Sequence, residues 1–106
     1  MPKKTLNIGL IGYLFMGKAH SNGWRQAPRF FDMKHDVRLH TICGRNGPAV
    51  EKARKQYGWN YAETDWRNVV SNPDIDIIDI NTPNDSHAEI AIAAAKEGKH
   101  ILCEKP

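Results

Sequence analysis

The sequence predicts an α/β fold built on a doubly wound parallel sheet. Short apolar runs rich in β-branched residues alternate with helical segments along all 106 residues, and a glycine turn follows the first run where a helix begins. Such alternation is typical of parallel βαβ units. Right-handed crossovers then place five strands in the order 3-2-1-4-5. A complete sheet with this winding has six strands, so we expect the chain to end before the sixth.

The first strand and helix lie at the amino-terminal end. Residues 5–12 contain mostly apolar side chains and end at Gly12, as expected of a strand that enters a tight turn. A helix is predicted over residues 15–27, where small residues recur every fourth position and allow close packing on a sheet. Pro28 ends this helix.

The second strand and helix are defined by alternation and by end signals. Apolar side chains alternate over residues 37–43, the second strand. Asn46 or Gly47 caps the following helix, which has a proline in its first turn. The helix runs to about Tyr57, and Gly58 closes it.

The third predicted strand is shorter than the fourth. Residues 60–62 predict only a short third strand, followed by a helix that Thr64 and Asp65 cap and that extends to about Ser71. The β-branched residues of the segment 75–80 predict a fourth, central strand.

An alanine-rich segment predicts the last helix. It covers residues 86–97, with Asn84 or Asp85 as its cap and Gly98 as its stop. Residues 100–103 form the fifth strand, which we expect to be left as an open edge.

The segment between Gly12 and Gly17 predicts a phosphate-binding loop. It follows a strand and opens a helix, the context of the G-x-G-x-x-G loop of Rossmann-type dinucleotide-binding domains. There the backbone N–H groups and the positive helix end face a pyrophosphate. Leu14 occupies the middle glycine position, and a positive φ at Leu14 would weaken binding by about 5–30-fold. The alternative is a domain of this fold whose loop no longer holds a dinucleotide.

Three segments resemble the Gfo/Idh/MocA family, which includes relatives of glucose–fructose oxidoreductase and inositol dehydrogenase. They are GYLFMGKAH at 12–20, NTPNDSH at 81–87 and GKHILCEKP at 98–106. The resemblance covers the whole chain. It implies that residues 1–106 form the NAD(P)-binding Rossmann domain of an oxidoreductase, and that the carboxyl-terminal substrate domain is absent from this chain.

The resemblance also implies site residues. Lys105 would contact the nicotinamide ribose and the substrate hydroxyl and support hydride transfer, and Glu104 would fix that segment. Phe15 and Met16 would offer backbone N–H groups to the pyrophosphate. The remaining contacts would follow the fourth strand: Thr82, Pro83, Asn84 and His87. The family's catalytic histidine and its partner lie in the later domain, so we expect little or no turnover from this chain alone.

The end of the second strand favours NADP over NAD. An acidic residue there would bind the ribose 2′-hydroxyl and repel a 2′-phosphate. The segment from Cys43 to Asn46 contains no carboxylate, whereas Arg45 offers a planar fork to a phosphate. The alternative is that Arg45 is a surface residue near the adenine, which NAD-binding proteins also tolerate.

Composition excludes other classes of function. Lys and Arg are scattered despite a net charge of +3, which argues against a nucleic-acid interface. No run approaches the roughly 20 apolar residues of a membrane span, and the polar start argues against a secretory signal. We therefore expect a cytoplasmic protein. Cys43 and Cys103 lie on strands about 14 Å apart, so we expect reduced thiols and no metal site.

Two hypotheses of function remain. The first is hydride transfer between a nicotinamide cofactor and a sugar- or cyclitol-like hydroxyl or carbonyl, in a parent protein that we expect to be a homo-oligomer. The second is a non-catalytic fragment that binds a dinucleotide or associates with itself through its open edge. A flavin or S-adenosylmethionine site is disfavoured by the segments at 81–87 and 98–106.

Overall fold

The computed structural model describes residues 4–12, 24, 35–82 and 84–103. The strands are β1 (Lys4–Ile11), β2 (His35–Cys43), β3 (Tyr61–Glu63), β4 (Ile77–Ile80) and β5 (His100–Cys103). The helices are α1 (Gly47–Tyr57), α2 (Trp66–Val70) and α3 (Asn84–Lys96). The helix predicted over residues 15–27 lies outside the described residues except at Trp24, which is helical.

The sheet confirms the predicted topology. The strand order is β3-β2-β1-β4-β5, and all four neighbouring pairs are parallel. The strand order therefore reverses between β1 and β4. In a sheet of this type, ligands bind beyond the carboxyl ends of the strands at that point.

Several element boundaries differ from the prediction by about two residues. The fourth strand was predicted to start at Ile75, but β4 starts at Ile77. Asp76 instead belongs to the entry turn, where its backbone N–H donates to the Asn7 carbonyl at 2.8 Å. Its carboxylate accepts from the Asn7 N–H at 2.9 Å. The last helix begins at Asn84 rather than at residue 86, so Asn84 and Asp85 are its first residues.

Two apolar clusters cover the sheet. The cluster that includes α1 contains Ile8, Leu10, Ile42, Val50, Ala53 and Trp59. The cluster that includes α2 and α3 contains Ile11, Cys43, Val69, Val70, Ile75, Ile78, Ile80, Ile90 and Ala94. Each cluster takes side chains from β1, β2 and the helices that cover its own face. This two-sided burial is what a doubly wound fold requires.

β1 and α2 approach each other closely at Gly9. A Cβ atom at Gly9 would lie 2.6 Å from Cγ1 of Val69 and 3.2 Å from Cγ2 of Ile75. No side chain fits in that space. The glycine therefore allows α2 to pack against the backbone of the central strand.

A β-bulge in β2 was not predicted from the sequence. Ile8 pairs with Leu39 and Gly9 pairs with Thr41, so His40 is the extra residue. Nδ1 of His40 lies 2.7 Å from Oγ1 of Thr41, and its ring centroid lies 5.0 Å from that of Tyr61. All three residues line a crevice of about 320 Å³. Burial is the main cause that lowers the pKa of His40.

Candidate nucleotide-binding site

The turn after β1 needs a glycine. Gly12 has φ +100°, and a Cβ atom there would lie 2.9 Å from both the carbonyl carbon and the carbonyl oxygen of Asn81. Its N–H donates to the Cys43 carbonyl at 2.8 Å. Gly12 thus joins the ends of β1, β2 and β4, where the sequence predicted a tight turn.

The turn after β4 lies directly beside Gly12. The Asn81 N–H donates to the Ile11 carbonyl at 2.8 Å, which continues the β1–β4 pairing by one residue. Oδ1 of Asn81 and Oγ1 of Thr82 are both buried and accept no hydrogen bond from the described residues. Buried polar atoms are normally paired, so these two oxygens mark a position where a ligand could supply the donor.

A buried carboxylate lies beneath this turn. Asp79 is 0% exposed. Its Oδ1 accepts from Nδ2 of Asn81 at 3.2 Å, and its Oδ2 accepts from Nε1 of Trp24 at 2.9 Å. Asp79 therefore connects the helical residue that follows the glycine loop in sequence to the turn after β4.

α3 begins at the same edge of the sheet. It starts at Asn84, two residues after Thr82, and contains 13 residues. The amino-terminal end of a helix has unpaired N–H groups and a partial positive charge that favour an anion. His87 lies in the first turn and is partly buried. The structure thus brings Gly12, Thr82, Asn84 and His87 together around the β1–β4 switch point.

The end of β2 places Arg45 at this edge too. The Gly44 N–H donates to the Glu63 carbonyl at 3.0 Å, and the Asn46 side chain caps α1 by accepting from the Ala49 N–H at 2.9 Å. Asn46, one of the two caps considered, is therefore the residue that caps the helix. Arg45 lies between these two fixed points and is exposed.

The carboxylate of Glu63, the last residue of β3, lies beside the end of β2. Cys43 is in register with Glu63, whose Oε2 accepts from the Thr64 and Asp65 N–H groups at 2.8 and 3.1 Å. Burial, with the charges of Glu63 and Asp65, raises the pKa of Cys43 to about 12. Cys43 is a buried free cysteine, and its raised pKa favours the protonated thiol.

Several predicted site residues lie outside the described residues. They are Leu14, Phe15, Met16, Gly17, Pro83, Glu104 and Lys105. The roles that the sequence assigned to them stay predictions.

A family model matches residues 6–106 of the chain. It is the GFO_IDH_MocA model, described as an oxidoreductase family with an NAD-binding Rossmann fold. The chain belongs to the Gfo/Idh/MocA family. The match confirms the resemblance inferred from the three segments, and it agrees with the strand order of this Gfo/Idh/MocA domain.

The proteins similar to this chain include a levoglucosan dehydrogenase and an oxidoreductase domain protein. Levoglucosan dehydrogenase of Pseudarthrobacter phenanthrenivorans is 48% identical over 105 residues, which are 97% of this chain and 27% of that protein. An oxidoreductase domain protein from Kribbella flavida is 55% identical, with a TM-score of 0.93 over 97% of this chain and 28% of its own. The chain therefore spans less than a third of the length of these relatives.

Solved structures of one relative are complexes with NADH. Structures of levoglucosan dehydrogenase with NADH, and with NADH and levoglucosan, are 46% identical and have a TM-score of 0.94, covering 97% of this chain and 28% of theirs. These comparisons support an NAD-binding domain. They do not support the NADP preference expected from Arg45.

Three residues of the site were not predicted as such from the sequence. From the sequence, Asn81 was identified only as the start of a matching segment, and Asp79 only as a residue of the fourth strand. Glu63 was not predicted as a site residue, because it lies beyond the second strand in sequence. Its registration with Cys43 depends on β2–β3 pairing.

The described part of the chain contains no group of three or more His, Cys, Asp or Glu side chains that could hold a metal ion. None of its helices has both the length and the apolar composition of a membrane span.

Proposed function

We propose that this chain is the nicotinamide-dinucleotide-binding domain of a dehydrogenase that acts on a sugar- or cyclitol-like hydroxyl or carbonyl. Residues 1–106 would belong to that domain, and a separate carboxyl-terminal domain of the parent protein would hold the substrate. When bound, the nicotinamide would accept or donate the hydride. The chain's own residues would bind and orient the dinucleotide.

One observation gives the main support. The turns after β1 and β4 meet at the switch point, where Gly12 leaves no space for a Cβ atom beside Asn81. Two buried oxygens next to it, on Asn81 and Thr82, accept no hydrogen bond from the described residues. A glycine turn, a helix end and unpaired acceptors at one switch point fit a dinucleotide.

The nucleotide preference involves two opposing charges. Arg45 favours the 2′-phosphate of NADP, as the sequence predicted. Glu63 and Asp65, however, lie close enough to Cys43 to raise its pKa, and their negative charge disfavours a 2′-phosphate. The NADH complexes of levoglucosan dehydrogenase point the same way. We therefore propose NAD(H) as the cofactor, with Arg45 beside the adenosine ribose.

Separate titrations of the chain with NADH and with NADPH, monitored by the quenching of tryptophan fluorescence, test both the domain assignment and the nucleotide preference. Tighter binding of NADH would support the proposal. Glu63→Gln should then reduce the ratio between the affinities for NADH and NADPH. Tighter binding of NADPH that is lost in Arg45→Ala would return the preference to NADP. Arg38→Ala is the matched control, because Arg38 is exposed on the amino-terminal half of β2. Binding of neither cofactor by the folded chain would contradict the domain assignment.

Lys105 is proposed as the residue that supports hydride transfer, through contact with the nicotinamide ribose and the substrate hydroxyl. Glu104 would hold the segment in place. In the parent protein, Lys105→Met should lower kcat for oxidation of a sugar or cyclitol by a larger factor than it weakens NADH binding. An unchanged kcat would show that Lys105 does not support hydride transfer.

The cytoplasmic location predicted from the sequence stays a prediction.

A second candidate function is self-association through β5. Ile101 and Leu102 are 38% and 46% exposed on this strand, which pairs with β4 alone among the described strands. Exposed apolar edge strands favour pairing between chains. Light scattering after gel filtration would report a dimer that Leu102→Glu dissociates. Ile92→Glu on α3, where Ile92 is 58% exposed, should not dissociate it.

A further inference from the structure

A crevice of about 320 Å³ opens between β2, β3, α2 and the turn that precedes β4. It is lined by side chains of all four elements, and by none of the residues that meet at the β1–β4 switch point. Its volume is at the lower end of the range of about 300–1,000 Å³ that is typical of small-molecule sites. The crevice is therefore a candidate site for a small ligand, separate from the nucleotide site.

The β-bulge in β2 directs His40 into this crevice. Successive residues of a regular strand point to opposite faces, but His40, the extra residue, lines the crevice together with its neighbour Thr41. His40 is only 6% exposed, and its Nδ1 is paired with Oγ1 of Thr41. Its Nε2 makes no hydrogen bond with the described residues, and it is not one of the unpaired atoms that are shielded from solvent. A ligand in the crevice can therefore reach Nε2.

The turn that precedes β4 is held in place by contacts from β1 and from the segment before β5. Nζ of Lys99 donates to the carbonyls of Asn72 and Ile75 at 2.7 and 2.6 Å. Oδ1 of Asn72 accepts from the Asp74 N–H at 2.9 Å, and the Asp74 carbonyl accepts from Nδ2 of Asn7 at 2.7 Å. Asn72 and Asp74 both line the crevice. The turn is thus preformed, and it leaves Nδ2 of Asn72 and the carboxylate of Asp74 for a ligand.

The charges of the crevice favour a cation. Glu63 and Asp74 line it, whereas no Lys or Arg of the described residues does. Burial, with the charge of Arg38, lowers the pKa of His40, so the imidazole is neutral at neutral pH and does not repel a cation. Tyr61, whose ring centroid lies 5.0 Å from that of His40, adds an aromatic ring, which attracts cations. An anion would meet two carboxylates and no opposite charge.

We propose that this crevice binds a small hydroxylated compound that carries a primary ammonium group. The ammonium group, which has three donors and no acceptor, would donate to the carboxylate of Asp74, and Glu63 would add to the negative charge. Hydroxyl groups of the ligand would bond to Nε2 of His40 and Nδ2 of Asn72. Binding here does not depend on the dinucleotide, so this proposal holds or fails separately from the proposed function.

The experiment compares glucamine with sorbitol, which has a hydroxyl where glucamine has an ammonium group. Each is added to the isotope-labelled chain in an amine-free buffer at neutral pH, and the NMR signals of the asparagine side-chain amides are followed. Glucamine should shift the signals of Asn68 and Asn72, which line the crevice, with a Kd on the order of 1 mM for a ligand of this size. The signal of Asn46, the cap of α1, should not move. Sorbitol should bind more weakly by about two- to fivefold.

Two variants assign the contacts. Asp74→Asn removes the charge and keeps both backbone hydrogen bonds of the turn, so it should weaken glucamine by about two- to fivefold and leave sorbitol unchanged. His40→Gln removes Nε2 of the imidazole and should weaken both compounds. Glu97→Gln is the matched control, because Glu97 is exposed just after α3 and does not line the crevice. It should change neither affinity.

Three results would overturn the proposal. Equal affinities of the wild type for glucamine and sorbitol would show that the crevice does not select an ammonium group. Signals of Asn68 and Asn72 that do not shift, at glucamine concentrations well above the expected Kd, would show that the crevice is not a ligand site. Equal weakening of glucamine by Asp74→Asn and Glu97→Gln would show that only the overall charge of the chain matters.

Discussion

Gly12 and Asn81 are packed backbone to backbone across the β1–β4 switch point. A Cβ atom at Gly12 would overlap the Asn81 peptide, with 2.9 Å to both the carbonyl carbon and its oxygen. Backbone atoms cannot rotate away as a flexible side chain can. The turns after β1 and β4 are therefore held at a fixed separation, and a nucleotide bound between them would meet a preformed surface.

Gly12→Ala should both destabilise the domain and abolish dinucleotide binding. The matched control is Gly58→Ala, because Gly58 also has a positive φ, of +83°, but a Cβ atom there meets nothing within 4 Å. Both substitutions strain the backbone. Overlap with Asn81 should make Gly12→Ala costlier by about 1–3 kcal/mol, as measured by urea denaturation. Equal losses of stability in the two variants would mean that the β4 turn moves away freely.

The topology could be predicted from the sequence because it follows from the order of elements and the handedness of crossovers. The site could be predicted only where it depends on local sequence, as at Gly12. The bulge at His40, the charge of Glu63 beside Cys43 and the Asp79–Asn81 contact were not predicted as structural relationships. The first two depend on strand pairing, and the third on how the side chains of Asp79 in β4 and Asn81 after it are oriented. Pattern and propensity do not report any of these.

Gly9→Ala tests the close approach of β1 and α2. The new methyl group would lie 2.6 Å from Cγ1 of Val69, so the substitution should destabilise the fold by about 1–3 kcal/mol. Val69→Ala alone should cost about 2 kcal/mol through the cavity it leaves. In the double variant the new methyl occupies part of that cavity, and the combined loss should fall below the sum of the single losses. If the loss of stability of the double variant, measured by urea denaturation, equals the sum of the single losses, the methyl group added at Gly9 does not overlap the Val69 side chain.

The thiol of Cys43 should be nearly inert while the domain is folded. Its pKa is raised from the ordinary value of 9.0 to about 12, which lowers the thiolate fraction at pH 8 by about a thousandfold. In a Cys103→Ser background, Ellman's reagent at pH 8 should react with Cys43 only at the rate at which the domain opens, and rapidly in urea. Cys43→Ser measures the contribution of Cys103. Fast labelling without urea would show that the end of β2 is accessible.

The bulged His40 should make the domain less stable in mild acid. Burial and the nearby Arg38 lower the pKa of His40, and Asp74 and Asp76 oppose this shift more weakly. Below a pH of about 6.5, the ordinary pKa of a histidine, His40 therefore binds a proton in the unfolded chain, whereas in the folded chain it still resists protonation. Proton uptake on unfolding means that stability falls as the pH drops below that value. The stability is retained above that pH.

Urea denaturation from pH 7.5 to 5.5 should show a steeper loss of stability for the wild type than for His40→Gln. His100→Gln is the control, because His100 is exposed at the start of β5, and it should keep the wild-type slope. Identical slopes for His40→Gln and the wild type would show that the bulge admits a charged imidazole.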